Sequence, residues 1–238
     1  MIASDSEGRV VISWIKDMDG NVLTTDDIVV FASDRIAGTW TPPMPVMSAP
    51  GATSELSLSV TAGTAVIGII ADPLGTGQSI SLSFNSLGRW SPVNVIAEGR
   101  SGITEVAVLM DRPGLATVAW NELHGGDGES QIVVVEATSS GTRGETIAVE
   151  TISEFVDLAL VPTSDSRHLV WISEGGASLH GVRHNFDGWS SPTSIEIASG
   201  LSRRLIAIQG NDGETVFTFH ETTQDGVPGL AFLPFQVR

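Results

Sequence analysis

The strongest constraint on this chain is a repeat with a period of about fifty residues. The apolar runs Ala116–Trp120, Leu169–Trp171 and Val216–Phe219 follow one another at that spacing, and Val10–Trp14 lies two periods upstream of the first. Thr64–Ile70 fills the place between them. A second marker, Trp followed by Ser or Thr and a nearby Pro, occurs at Trp40-Thr41-Pro42, Trp90-Ser91-Pro92 and Trp189-Ser190-Ser191-Pro192. Its missing copy falls near Ser139–Gly144, where the tryptophan has been lost. A third, the alternating segments Glu55–Val60, Glu105–Leu109, Phe155–Leu160 and Arg204–Ile208, keeps the same step.

Each period reads as four short strands. The apolar run comes first. An alternating strand follows, at Ile28–Ala32, Ser79–Phe84, Gln131–Glu136, Ser178–Arg183 and Leu230–Phe235. The strand after the tryptophan marker is third and the Glu55–Val60 type fourth. Asp19-Gly20, Asp187-Gly188, Asp212-Gly213 and Asp225-Gly226 supply turn chemistry between them. No segment carries an apolar stripe at helical spacing. Four-stranded units repeated radially describe an all-β fold, a β-propeller of about five blades. The expected single domain, 1–238, divides into repeats at approximately 9–60, 61–110, 111–161, 162–210 and 211–238. This phasing leaves the last blade incomplete. It implies a fragment of a larger propeller, a short closing blade, or a pairing partner that supplies the missing strands.

A formal net charge of −16 argues against a nucleic-acid partner, because phosphate neutralisation needs clustered Lys and Arg. Arg203-Arg204 is the nearest approach to such a cluster. Apolar runs such as Thr64–Ala71 stop far short of the ~20 residues a membrane span requires, so no membrane insertion is expected. Without cysteine, disulfides and thiolate metal sites are impossible.

The segments Ser33–Trp40, Asn85–Trp90 and Asn185–Trp189 resemble the BNR-type repeats of sialidase-like β-propellers. In that family Ser, Asp, Gly and Trp are set at Ser-x-Asp-x-Gly-x-x-Trp spacing. Here the glycine stands one or two residues before the tryptophan, so the copies are degenerate. The resemblance implies a propeller and, in the family, hydrolysis through a tyrosine nucleophile, an aspartate and three arginines. This chain has no tyrosine, which removes that nucleophile.

The expected function is therefore a noncatalytic propeller that binds a glycan or protein, in an extracellular or cell-surface setting. The alternatives are a fragment of a sialidase-like glycoside hydrolase whose catalytic residues lie elsewhere, and a purely structural module. Candidate ligand contacts are Trp40, Trp90 and Trp189, whose recurring rings suit sugar faces, and His168 and His220, which flank the first strand and are placed toward the central channel. Asp17, Asp19 and Asn21 form an oxygen-rich loop suited to calcium, with Asp26 and Asp27 contributing if the hairpin folds back. No other cofactor is expected. His180 and His184 lie in strand and turn, where their spacing carries no metal-site meaning.

Overall fold

The computed structural model describes residues 1–21, 26–72, 77–124, 129–153, 155, 157–162, 166–173, 176–185, 187–197, 201–209, 215–224 and 227–236. At 53–54, 145, 147, 150–151, 201–204, 209, 219–224, 227–231, 233 and 235–236 only the backbone is described. Among these residues there is no α-helix, and the chain forms antiparallel sheets in sequence order. The first contains β1 (Ile2–Ser4), β2 (Val10–Asp17) and β3 (Ile28–Ile36), with β4 (Thr39–Trp40) and β5 (Met44–Ser48) both paired to β3. The second contains β6 (Ala52–Thr61), β7 (Thr64–Ala71) and β8 (Gln78–Ser86), with β9 (Arg89–Trp90) and β10 (Asn94–Arg100) on β8. The third runs β11 (Val106–Arg112), β12 (Leu115–His124), β13 (Glu129–Thr138), β14 (Gly141–Ile152). The fourth holds β15 (Asp157–Pro162), β16 (Arg167–Ser173) and β17 (Ser178–Asn185), with β18 (Gly188–Trp189) and β19 (Thr193–Glu196) on β17. The fifth runs β20 (Leu201–Gln209), β21 (Thr215–Gln224), β22 (Val227–Gln236).

The strand expected to close each repeat instead opens the next sheet. Glu55–Val60 belongs to β6 and pairs with β7, from Thr61↔Thr64 to Leu56↔Ile69. A period fixes spacing but not where a unit begins; the tight turn decides that. Ala62 and Gly63 both have positive φ, 42° and 73°, the geometry of a two-residue hairpin turn, and this ties β6 to the following strand. The fifth sheet consequently holds three described strands rather than two, and β1 belongs to the first sheet.

The chain divides into two compact parts, residues 1–122 with 134–146, and 123–133 with 147–238. In the first part β7 is buried along its whole length, as its apolar, β-branched sequence Thr-Ala-Val-Ile-Gly-Ile-Ile-Ala requires. Val11, Val30 and Met47 of the first sheet pack there against Leu56, Leu58, Ile67 and Ile69 of the second. Gly68 lies so close to the third sheet that a Cβ would stand 2.7 Å from Val108 Cγ1. The outer edge of β11 is closed by side chains of β6: Ser57 Oγ accepts the Val108 amide at 3.0 Å and Ser59 Oγ the Met110 amide at 2.9 Å. The second part uses the same device, with Asp157 Oδ2 accepting the Leu205 amide at 2.7 Å. Its core joins Val161, Val170, Ile172 and Leu179 to Leu205 and Val216.

Candidate functional site

The recurring tryptophan marker is a strand-terminating lock. Trp40, Trp90 and Trp189 occupy the same place in three sheets, paired with Arg35, Asn85 and His184 across a two-residue turn. The next residue closes the turn in the same way each time. Thr41, Ser91 and Ser190 donate their amides to the carbonyls of Asp34, Phe84 and Arg183 at 2.8, 2.7 and 2.8 Å. Their hydroxyl oxygens accept the amides of those same residues at 2.9, 3.1 and 3.0 Å. The hydroxyl thus satisfies a strand amide that would otherwise lack a partner.

Around the second of these turns lies a cleft of about 420 Å³. Thr64, Phe84, Asn85 and Met110 are its buried lining. Trp90 and Ser91 are half-buried, and Ser86, Arg89, Pro113, Gly114 and Ser139 are exposed at its rim. Trp90 also packs on the core between the first and second sheets, so its ring is held from behind. Trp40 and Trp189 line no part of this cleft. Trp40 is 45% exposed, and Trp189 meets His184 edge-on at 4.9 Å.

Asn85 is 1% exposed and its orientation is fixed from two sides. Arg9 Nη2 donates to Asn85 Oδ1 at 2.7 Å, and the Gly88 amide donates to the same oxygen at 3.2 Å. The amide oxygen is therefore occupied, and Nδ2 is buried without a hydrogen-bond partner. Arg9 also donates to Asp34 Oδ2 at 2.9 Å, an ion pair with both side chains buried, and to the Gly63 carbonyl. Asp5 fastens the same corner by accepting the Gly63, Arg9 and Glu7 amides, each at 3.0 Å. Partial burial pulls the Asp5 carboxyl upward. Those three amide bonds and the Arg9 charge outweigh it, so the group sits below the usual aspartate range.

His168 lies in the second compact part and does not face an open channel. It is 1% exposed, and neither ring nitrogen has a hydrogen-bond partner. Burial, with the Arg183 charge on the paired strand, pushes it down to about 4. The side chain of His220 lies outside the described residues, although its backbone pairs with Leu205 and Ala231. His180 stacks on Trp171 with ring centres 5.2 Å apart, and its Nε2 is 2.8 Å from Ser173 Oγ.

The β2–β3 hairpin does fold back, and the structure brings Asp17, Asp19 and Asp27 together with one carboxylate oxygen from each within 4.8 Å. Asp27 joins Asp17 and Asp19 in this cluster, and Asn21 donates its backbone amide to Asp19 Oδ1 at 2.7 Å. Gly20 donates to Asp17 Oδ1 at 2.9 Å and Asp19 to Asp27 Oδ2 at 2.6 Å.

Sequence reasoning singled out Trp90 but neither Asn85 nor Arg89. Both stand inside the repeat segment Asn85–Trp90, and Ser139, near which the marker's tryptophan is missing, also lines the cleft.

No protein-family model matches the chain, and no curated protein resembles it in sequence. Its fold is that of β-propeller glycoside hydrolases. An endo-arabinase from Bacteroides thetaiotaomicron matches with a TM-score of 0.55 at 10% identity, over 97% of this chain and 90% of that one. A thermostable family-43 glycoside hydrolase matches with a TM-score of 0.51 at 10% identity, over 100% and 89%. The subtype N11 neuraminidase-like protein of the isolate A/flat-faced bat/Peru (H18N11) gives 0.52 at 10% identity, over 99% and 73%. These likenesses concern the fold.

Proposed function

We propose that this chain is a five-bladed β-propeller that binds a glycan without cleaving it, using the cleft beside Trp90. The observation that carries the reading is the composition of that cleft. It combines an indole held from behind, a guanidinium and three serines, and no carboxylate stands among its described lining residues. Sugars are bound by aromatic faces and by fixed polar groups that match their hydroxyls. Hydrolysis by the two-carboxylate route needs an acid and a nucleophile or base flanking the bond, and no described residue lining the cleft supplies either. An extracellular or cell-surface setting suits such a module. The outer edge of β22 is the place where a further strand, from this chain or a partner, would complete the fifth blade.

The test is a glycan array probed with the parent and with Trp90→Ala, beside an assay for release of reducing sugar. Retained glycans lost in Trp90→Ala, with no sugar released, support the reading. Binding that survives Trp90→Ala, or measurable hydrolysis, defeats it and favours the sialidase-like hydrolase alternative. A protein ligand captured at the same cleft, with no glycan retained, would replace the sugar by a protein partner.

A further inference from the structure

We infer that the sugar seated in the Trp90 cleft is a 6-deoxyhexose whose C6 methyl group enters an apolar floor; this rests on the glycan reading above and narrows it. The cleft is apolar at depth and polar at its rim. Phe84 and Met110, 5% and 2% exposed, belong to its buried lining, and the half-buried Trp90 adds an indole. Two serine hydroxyls and the guanidinium belong to Ser86, Ser139 and Arg89, which are exposed at the rim.

The polar side chains deeper in the lining are already engaged. Thr64 Oγ1 donates to the Thr61 carbonyl at 2.8 Å. Ser91 Oγ accepts the Phe84 amide at 3.1 Å and donates to the Pro92 carbonyl at 2.9 Å. Asn85 Oδ1 takes Arg9 and Gly88, and Asn85 Nδ2 is itself shielded from solvent. A ligand hydroxyl placed against this floor loses its water and gains little in exchange.

An ordinary hexose carries hydroxyl around its whole edge, which suits the rim but not the floor. A 6-deoxyhexose departs from this at one carbon, where a methyl group replaces the hydroxymethyl. Seating that methyl against Phe84 and Met110 removes apolar surface of both partners from water. The ring's C–H face then meets the Trp90 indole, and its hydroxyls stay at the rim with Ser86, Ser139 and Arg89. An acetamido group also ends in a methyl, but it brings a carbonyl and an N–H that need partners of their own.

Matched sugars isolate the methyl group: L-fucose against L-galactose, and L-rhamnose against L-mannose, each pair differing only in the O6 hydroxyl. Binding to the parent is followed by NMR titration and by saturation transfer to the sugar protons. In at least one pair the deoxy sugar is expected to bind about tenfold more tightly, with its C6 methyl protons receiving the strongest saturation. Trp90→Ala should abolish that preference; the matched pairs and the saturation pattern are read on the parent and do not depend on how the variant folds. Equal affinity within both pairs, while other glycans are retained on the array, overturns the 6-deoxy inference and leaves the glycan reading standing. A preference that persists in a folded Trp90→Ala puts the methyl outside this cleft and overturns it too. N-acetylglucosamine chosen over glucose by the same margin, without any deoxy preference, makes the buried group an acetamide and the assignment wrong. If none of these sugars and no arrayed glycan binds, the glycan reading falls and the inference with it.

Discussion

Arg9, immediately before β2, reaches to the second sheet and donates to Asn85 Oδ1 at 2.7 Å. Through this bond one buried cation holds two sheets together and fixes the orientation of the Asn85 amide. The same guanidinium is paired with Asp34, 4% exposed, so the charges neutralise each other away from water. Such a pair costs desolvation to build, but breaking it from one side is worse. Arg9→Met is expected to destabilise the protein by about 3–5 kcal/mol in urea unfolding, because Asp34 is left buried and uncompensated. Arg9→Met combined with Asp34→Leu should recover most of that loss. A double variant as unstable as the single one would assign Arg9's importance to its bonds with Asn85 and Gly63 instead.

His168 makes stability depend on pH in a defined direction. Its ordinary value is 6.5 and the folded protein holds it at about 4, so the unfolded chain takes up a proton first as pH falls. The neutral ring's contribution is complete above 6.5 and is lost progressively from there toward 4. His168→Leu removes both the titration and two unsatisfied buried nitrogens. Between pH 7 and 5 the parent is expected to lose about 1–2 kcal/mol more than this variant, read from urea midpoints at each pH. Parallel losses would mean that His168 stays as readily protonated in the fold as outside it.

Most of the sheet framework is legible in the sequence because strand signals are local. Alternation and bounding turns placed β2, β3, β7, β8, β12, β13, β16, β17 and β21 from residues within each segment. The grouping of strands into sheets was not legible. Glu55–Val60 carries the same alternation whichever neighbour it joins, and only the backbone of Ala62-Gly63 selects β7. The marker at Trp40, Trp90 and Trp189 was visible as a pattern, but Trp draws the eye while the hydroxyl beside it makes the bonds. The cleft escaped for a different reason: Asn85, Met110, Pro113 and Ser139 are far apart in sequence, and no local periodicity encodes their meeting. Asp27 was legible only conditionally, as a member of the acidic loop if the hairpin folds back, and the pairing Asp17↔Ile28 is that fold-back.

Leu87 stands at the first central position of the turn between β8 and β9 with φ of 53°, followed by Gly88 at 79°. This geometry suits Asn or Gly, whereas a leucine there strains its Cβ against the backbone. Leu87 is 94% exposed, so little packing offsets the strain. Leu87→Asn is expected to stabilise the protein by about 0.5–1 kcal/mol, measured as a raised urea midpoint with unchanged slope. A lowered midpoint would show that the leucine side chain contributes contacts that outweigh its backbone cost.

Asp17, Asp19 and Asp27 set three carboxylates against one another at the far end of the β2–β3 hairpin from the Trp40 turn. Backbone amides donate to Asp17 Oδ1, Asp19 Oδ1 and Asp27 Oδ2, and Asp27 Oδ1 is buried without a hydrogen-bond partner. Calcium takes several oxygens from a single turning loop, and exposed sites of this kind bind at ~0.1–1 mM. About 10 mM calcium is therefore expected to stabilise the parent by ~1–3 kcal/mol, seen as a rise in Tm, and to do nothing for Asp17→Asn combined with Asp27→Asn. The double variant should also be the more stable protein without calcium, since it removes two mutually repelling charges. If calcium leaves the parent's Tm unchanged while the double variant is still stabilised, the loop is an acidic hairpin held against its own repulsion and no cation site.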